Sequence, residues 1–278
     1  QATLPLAVDA CRIEDAPRFH YRGMMLDVVR TWMDADRVKR HIDLLSHLKI
    51  NKLHLLLSND EGWRLEIKSH PELTEIGAWR GGDSPVRPVY GKWDEKYGGY
   101  YTQDEMRSLI RYAAARNIEI IPEIDLPGHS RNIASVHPEI RCNYPPDTVS
   151  TNGYDYRSAW CVAREENYAL LADILGELCA LFPSEYIHVG GDEVDMTQWN
   201  RCPDCQALMS RRGHDRSAPI GRPLHGAHGG DSRGQRQASR RVERSRDHGA
   251  ASRANVSYTA GRASRRVSTL RRKATRPW

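Results

Sequence analysis

The chain has 278 residues, enough for one large domain with its own hydrophobic core, and its formal net charge is +5. The charge is uneven, because residues 211–278 hold 18 of the 41 Lys and Arg residues but only 4 of the 36 Asp and Glu residues. That segment therefore carries +14 and the first 210 residues carry −9, and no run of about 18 apolar residues is present that would predict a membrane span.

Residues 1–19 are interpreted as the end of a preceding N-terminal domain or as a linker. They lack a basic start followed by an apolar stretch, and the chain lacks an initiator Met, so we expect a mature form whose leader has been removed. Six cysteines are compatible with one or two disulfide bonds, one of which would join Cys142 to Cys161 and close the loop between them. We therefore predict an exported protein, either periplasmic or secreted.

Residues 20–210 alternate between strand-like and helix-like segments. Short apolar runs typical of buried strands recur along this region, separated by amphipathic segments with helical spacing. Asp34 and Thr102 stand at N-cap positions, and Thr102 with Glu105 has the pattern of a capping box. In chain order the sequence predicts strands at 23–29, 51–60 and 118–129 and from 186 onward, with helices at 34–50, 102–117 and 165–182.

This alternation predicts a parallel sheet, because parallel neighbours need a crossover helix. In a (β/α)8 barrel of the TIM type, the active site lies at the carboxyl ends of the strands, and a doubly wound open sheet gathers its ligand groups there too. Acids at four different strand ends favour the barrel, so we predict an α/β fold of TIM-barrel type with about four of its βα units in residues 20–210. The polar strand ends are Asp27 and Arg30; Asn59, Asp60 and Glu61; Glu123, Asp125 and His129; and Asp192 and Glu193.

The Arg-rich C-terminal tail, residues 211–278, differs from the rest of the chain. It is rich in Arg, Ser and Gly, and it lacks a sustained apolar period, so it cannot bury enough surface to fold by itself. We interpret it as a disordered tail or as a frameshifted translation, since a one-base shift can turn residues 222–244 into an amphipathic helix followed by a strand. Sequencing codons 205–245 tests the frameshift. An alternative is a truncated, inactive fragment whose basic tail binds nucleic acid or an anionic surface.

The fourth predicted strand ends in His188-Val-Gly-Gly-Asp192-Glu193, with two adjacent carboxylates. Adjacent side chains on a strand point to opposite faces, but the two glycines permit a bend that directs both acids into one mouth. Carboxyl groups held this close titrate as a pair, and glycoside hydrolysis needs both an acid and an anion. The alternative is an exposed loop whose acids cap the next helix.

Four segments in this order resemble the family 20 glycoside hydrolases, the β-N-acetylhexosaminidases. The resemblance covers about residues 12–209, and residues 211–278 do not match, so it implies the first half of a catalytic TIM barrel. The segments are RIEDAPRFHYRGMMLDVVR (12–30), NKLHLLLSNDEGWRLEIKSHPELTEIGAWR (51–80), GGYYTQDEMRSLIRYAAARNIEIIPEIDLPGHS (98–130) and LFPSEYIHVGGDEV (181–194).

The resemblance implies substrate-assisted retaining hydrolysis, in which the 2-acetamido carbonyl of the substrate attacks the anomeric carbon. Glu193 would be the general acid and then the base, Asp192 would hold the acetamido N–H, and Arg22 would bind sugar hydroxyls. The implied partner is an oligosaccharide or glycoconjugate with a terminal N-acetylhexosamine; no metal, no cofactor and no nucleic acid are expected. The other predicted substrate-site residues are His129, Asp125, Glu123 and Asp60, while His188 is expected to be a packing residue.

Some features depart from the family pattern. An acid of the pattern is lost at Asn59 and one is gained at Glu61. The later half of the barrel, which supplies the acetamido pocket, is missing, so we expect poor folding and little activity from this chain by itself. Zinc at Cys202-Pro-Asp-Cys205 with His214 is disfavoured, because one Cys-x-x-Cys without a second pair is a weak signal. A chitinase-like relative is disfavoured because its Asp-x-x-Asp-x-Asp-x-Glu strand is absent.

Overall fold

A computed structural model describes residues 9–142, 159–194 and 197–211, together with the backbone of two short strands in the tail. His214 and most of the predicted tail lie outside the described residues. None of the described helices is long and apolar enough to cross a membrane. In chain order the elements are β1 (Gly23–Asp27), α1 (Ala35–His47), β2 (Lys52–Asn59), β3 (Gly62–Trp63), α2 (Glu72–Glu75), β4 (Trp79–Arg80), β5 (Tyr97–Gly98), α3 (Gln103–Ala114), β6 (Glu119–Ile124), α4 (Arg131–Val136), a 3-10 turn (Pro138–Ile140), α5 (Glu165–Leu181), α6 (Thr197–Arg201), α7 (Pro203–Arg211), β7 (Val242–Glu243) and β8 (Asn255–Val256).

The central sheet is parallel and follows chain order, apart from the two-residue strand β3, which pairs antiparallel with the end of β2. Strand β2 lies between β1 and β6 and runs parallel to both. The strand predicted from residue 186 onward is present only as a single parallel bridge between Glu123 and His188, beside which Leu126 N–H donates to the carbonyl of Val189 at 3.0 Å. We refer to this bridged segment as the fourth strand. Each new strand is therefore added to the same side, which is the order of a barrel and not of a doubly wound sheet, where the order reverses.

Helices α1 and α3 cover one face of this sheet, and both begin where the sequence predicts. The side chain of Asp34 accepts a hydrogen bond from Arg37 N–H at 2.8 Å, and Thr102 and Glu105 form the predicted capping box. Both helices end earlier than predicted, because Lys49 and Asn117 adopt left-handed backbone angles, each with φ of 56°. The apolar residues of both helices pack into one core with β2 and β6; among them are Val38, Ile42, Leu45, Met106, Leu109 and Ala113.

Residues 60–101 form an insertion that the sequence did not predict in any detail. Its anchor is Arg64, whose side chain is fully buried. Burial lowers the pKa of Arg64 to about 10, so the guanidinium stays charged at neutral pH. It fastens the insertion to the end of β1 by donating to four carbonyls, those of Val28, Val29, Ala78 and Gly99, at 2.5 to 3.1 Å.

The sheet is open on both sides within the described part of the chain. Strand β1 pairs with β2 alone, and the bridge at His188 is the last pairing in the other direction. Beside the open edge of β1, the side chains of Met24 and Met25 are 42% and 44% exposed. Within the described residues, this is the geometry of part of a barrel that is open along both of its outer strands.

Candidate active site

The carboxyl ends of β2, β6 and the fourth strand bring together five of the seven predicted site residues. Asp60 directly follows β2, and Asp125 directly follows β6. His129 belongs to the loop after β6, and Asp192 and Glu193 form the turn after the bridge at His188. The site is therefore made by three neighbouring loops, as expected for a barrel.

His129 lies between two carboxylates. Its Nδ1 is 2.9 Å from Oδ2 of Asp60, and its Nε2 is 3.4 Å from Oε2 of Glu193. Burial by itself lowers the pKa of His129, but the hydrogen bond and charge of Asp60 outweigh it and raise that pKa to about 9. The imidazole is therefore protonated at neutral pH and presents an N–H to Glu193. Arg131 N–H donates to the other oxygen of Asp60 at 3.0 Å and fixes its orientation.

Asp125 is buried beneath the turn that carries the two adjacent acids. Its carboxylate accepts hydrogen bonds from the Asn59 side chain at 3.2 Å and from Gly191 N–H at 3.1 Å. Burial, with the charges of Glu123 and Asp192 in the same direction, raises the pKa of Asp125 to about 7. Near neutral pH this group therefore exchanges between acid and carboxylate, directly beside Asp192.

The two glycines of the motif make the turn that the sequence predicted. Gly190 has φ of 62° and Gly191 has φ of 110°, both in the region that favours glycine. A Cβ at Gly190 would lie 1.9 Å from Oδ1 of Asp125, so this position also needs the space. After the turn Asp192 and Glu193 are both exposed, with the Glu193 side chain 83% accessible, so both acids face the solvent at the mouth.

Glu123 lies elsewhere than predicted. Its carboxylate is buried below the mouth, 2.6 Å from Nε2 of His54 and 2.8 Å from Nδ1 of His188. Burial would raise the pKa of Glu123, but the hydrogen bonds to His188 and His54 lower it to about 2. Glu123 therefore joins β2, β6 and the fourth strand to one another, and the structure does not support its predicted contact with substrate. His188 is buried in the sheet, as expected.

Arg22 is the second correction. It precedes β1, so it lies at the amino ends of the strands, opposite the acids. Its guanidinium donates to the carbonyls of Lys49 and Phe19, both at 2.6 Å. There it lines a cavity of about 280 Å³ whose other residues include Lys49 and Arg116. In this structure Arg22 does not reach the mouth, and its predicted contact with sugar hydroxyls has no support from these bonds.

The two departures at 59 and 61 have structural explanations. Asn59 replaces an acid with an amide, and that amide donates to Asp125. Glu61 is fully buried and lies 2.7 Å from the guanidinium of Arg80 and 3.4 Å from that of Arg131. The gained acid is therefore neutralised by two arginines and is not presented to the mouth.

Metal-ligating side chains are brought together at three places in the described residues. These groups are Cys142, Cys161, Cys202 and Cys205; His54, Glu123 and His188; and His70, Glu72 and His137. None of the six cysteines forms a disulfide in this structure. The predicted bond between Cys142 and Cys161 is therefore not formed, because both residues instead belong to a group of four thiols. Sequence reasoning missed His54 and this group; a lone His inside the apolar run of β2 was the available signal for the first.

Comparison with known proteins assigns the site to a family. The profile described as glycosyl hydrolase family 20, catalytic domain, matches residues 19–225. The chain belongs to glycoside hydrolase family 20. The match includes the predicted half barrel of residues 20–210 and continues into the first residues of the tail.

Similar proteins come from Vibrio species. A β-hexosaminidase of Vibrio furnissii is 48% identical over 203 residues, which are 73% of this chain and 33% of that protein. An N,N'-diacetylchitobiase of Vibrio harveyi is 35% identical over 212 residues, 65% of this chain and 24% of that protein. The crystal structure of a family 20 exo-β-N-acetylglucosaminidase from Vibrio harveyi, in complex with N-acetylglucosamine, superposes with a TM-score of 0.67 at 46% identity, covering 72% of this chain and 32% of that one.

The predicted TIM-barrel type of α/β fold is confirmed by these family 20 structures. The chain spans about a third of the length of the curated relatives it matches. What it contains is the part of the family 20 domain that bears the adjacent acids.

Proposed function

We propose that this chain carries the catalytic acids of an exo-acting β-N-acetylhexosaminidase, which removes terminal N-acetylglucosamine or N-acetylgalactosamine from oligosaccharides. One observation carries the proposal: Glu193 is exposed at the mouth and lies 3.4 Å from an imidazole that Asp60 holds in its charged form. The names of the relatives, a chitobiase among them, support chitooligosaccharides as substrates.

The residues would divide the reaction between them. Glu193 donates its proton to the leaving glycosidic oxygen while the substrate's acetamido carbonyl attacks the anomeric carbon. Glu193 is then a carboxylate beside the His129 imidazolium. It accepts a proton from a water that attacks the anomeric carbon as the acetamido oxygen leaves that carbon. Asp192 holds the acetamido N–H and stabilises the positive charge of the cyclic intermediate.

Asp125 controls the charge around Asp192. Its pKa, raised to about 7, allows Asp125 to hold a proton near neutral pH, which removes one negative charge from beneath the turn that carries Asp192. Its bond from Gly191 N–H also fixes the turn on which Asp192 and Glu193 stand.

The test needs a complete barrel, because the chain covers about a third of the relatives' length. A chimera would join residues 1–210 to the C-terminal part of the Vibrio furnissii β-hexosaminidase and be assayed for release of 4-nitrophenol from the β-N-acetylglucosaminide. We expect turnover, and a loss of about 10²- to 10⁴-fold in kcat on Glu193→Gln.

Glu166→Gln is the matched control, since Glu166 is an exposed acid in the first turn of α5. It should leave kcat unchanged. A folded chimera that has no activity, or that loses none on Glu193→Gln, contradicts the proposal. The unmodified chain should show little activity in the same assay. Export of the protein stays a proposal, and fractionation of the host cells would test it.

A further inference from the structure

Four cysteine thiols meet in a closed apolar pocket beside the acidic turn. The Sγ atoms of Cys142, Cys161, Cys202 and Cys205 all lie within 4.8 Å of one another. The separations are 3.8 Å between Cys142 and Cys205, 3.5 Å between Cys161 and Cys205, and 4.0 Å between Cys161 and Cys202. All four residues are buried, with relative exposures of 5% or less.

We propose that these four cysteines form a structural zinc site. Zinc binds thiolates tetrahedrally with Zn–S distances of about 2.3 Å, and the edge of such a tetrahedron is about 3.8 Å. Three of the six sulfur–sulfur separations, at 3.5 to 4.0 Å, lie close to that value, and all six are within 4.8 Å. Two disulfides would instead need S–S distances of about 2.05 Å. Four protein ligands leave no open position, which is typical of structural and not of catalytic zinc.

The local structure prepares the thiols for a metal. Cys202 directly precedes α7, and Cys205 lies in its first turn, so both sulfurs are near the positive end of a nine-residue helix. The backbone N–H of Ala163 hydrogen-bonds the sulfur of Cys161. Such N–H groups compensate the charge of a site that holds Zn²⁺ and four thiolates, which is −2 after the four thiol protons have passed to solvent.

The second pair of ligands comes from the loop around residues 142–161, whose ends are held in place. Cys161 N–H donates to the carbonyl of Ile140 at 2.7 Å, which brings the two ends of the loop together. The indole N–H of Trp199 donates to the carbonyl of Trp160 at 2.9 Å and joins α6 to the same loop. The separate Cys-x-x-Cys of α7 thus obtains the second pair that a zinc site requires.

This zinc would stabilise the turn that carries Glu193 without taking part in the reaction. Val194, next to Glu193, packs against the cysteine cluster. On the other side, Trp160 N–H donates to the carbonyl of Pro127 at 3.0 Å and its indole donates to Ser130 at 2.9 Å, on either side of His129. One metal would therefore tie together the two loops that carry Glu193 and His129.

The experiment measures metal in the whole 278-residue chain, purified under reducing conditions from cells supplied with zinc. Mass spectrometry of the metal should find about one zinc ion per chain. Cys205→Ser and Cys142→Ser should each lower the bound zinc at least tenfold. Cys179→Ser is the matched control, since Cys179 is a partly buried cysteine of α5 outside the cluster, and it should keep the metal. Cobalt added in place of zinc should give the visible bands of a tetrahedral sulfur site.

Three results would overturn the proposal. The first is wild-type chain without zinc whose thiols all react with a thiol reagent. The second is an intact mass that is smaller by four hydrogens under the same reducing conditions, which means two disulfides. The third is zinc that persists undiminished in Cys205→Ser, which places it at one of the two histidine groups. If the serine variants do not fold, the cobalt spectrum of the wild-type chain decides. None of these readouts depends on hexosaminidase activity.

Discussion

Removing the Asp60 carboxylate should lower the pKa of His129, so that its imidazole is no longer held in the charged form. The pKa of His129 is raised from its ordinary value of 6.5 to about 9, chiefly by Asp60 acting against the effect of burial. Each pKa unit corresponds to about 1.36 kcal/mol, so holding the imidazolium contributes about 3 kcal/mol to folding. In Asp60→Asn the side-chain oxygen still accepts the Arg131 N–H, but the charge that raised the pKa is gone.

The sign of the pH dependence follows from the direction of the shift. A group whose pKa is higher in the folded state stabilises the fold fully below its unfolded pKa, and the stabilisation is lost as the pH rises through its folded pKa. The difference in unfolding free energy between wild type and Asp60→Asn should therefore be about 3 kcal/mol near pH 6, fall to about 0.4 kcal/mol at pH 9 and vanish above it.

Urea unfolding followed by circular dichroism at pH values from 6 to 9.5 measures this difference. NMR titration of the His129 ring is the direct companion, and its midpoint should fall by about two pH units in the variant. Asp36→Asn is a suitable control, since Asp36 is an exposed acid whose carboxylate pairs with Lys39 at 3.0 Å. A difference that stays constant across this range, or an unchanged histidine midpoint, would refute the reasoning.

Three further substitutions test other parts of the site. Gly190→Ala should destabilise the fold by at least about 2 kcal/mol in urea unfolding, because the added Cβ would clash with Asp125 and the φ of Gly190 is positive. Gly176→Ala is the control; nothing lies near its added carbon, so it should be neutral or stabilising. Glu123→Gln should lower the free energy of unfolding by about 3 kcal/mol at pH 7. Because the pKa of Glu123 is lowered in the folded state, this difference should diminish as the pH falls from 4.5 toward 2. A difference that stays constant over that acid range would contradict the prediction. Arg64→Lys should lower the thermal midpoint by several degrees, since an ammonium cannot serve four carbonyls at once, and an unchanged midpoint would show that the insertion is held in other ways.

Most of the secondary structure was predictable because its signals are local. Caps at Asp34 and Thr102 mark where helices begin, and helical spacing of apolar residues marks their buried faces. Strand ends were less predictable: the third strand ends at Ile124 and not at 129, because the backbone leaves the sheet to place His129 at φ of 46°. Nothing in the local sequence reports that turn.

The site residues could be predicted where acidic side chains directly follow predicted strands, and not elsewhere. Asp60, Asp125 and the two adjacent acids follow strands, so the barrel rule locates them together. Arg22 was included through the family resemblance alone, although it precedes its strand. The four-cysteine cluster was missed because it depends on contacts between residues far apart along the chain, which no spacing rule reveals.

The open edge of β1 has a consequence for how this polypeptide folds. An unpaired strand edge offers a row of backbone donors and acceptors to any strand that reaches it. As the chain concentration rises, the β1 edge of a second copy therefore competes with the correct partner strand for this edge. The remaining strands of the barrel, supplied as a separate polypeptide, would occupy the same edges and stabilise this half by mass action. Closure of the barrel would then depend on the concentration of that second polypeptide, as the binding of a ligand does.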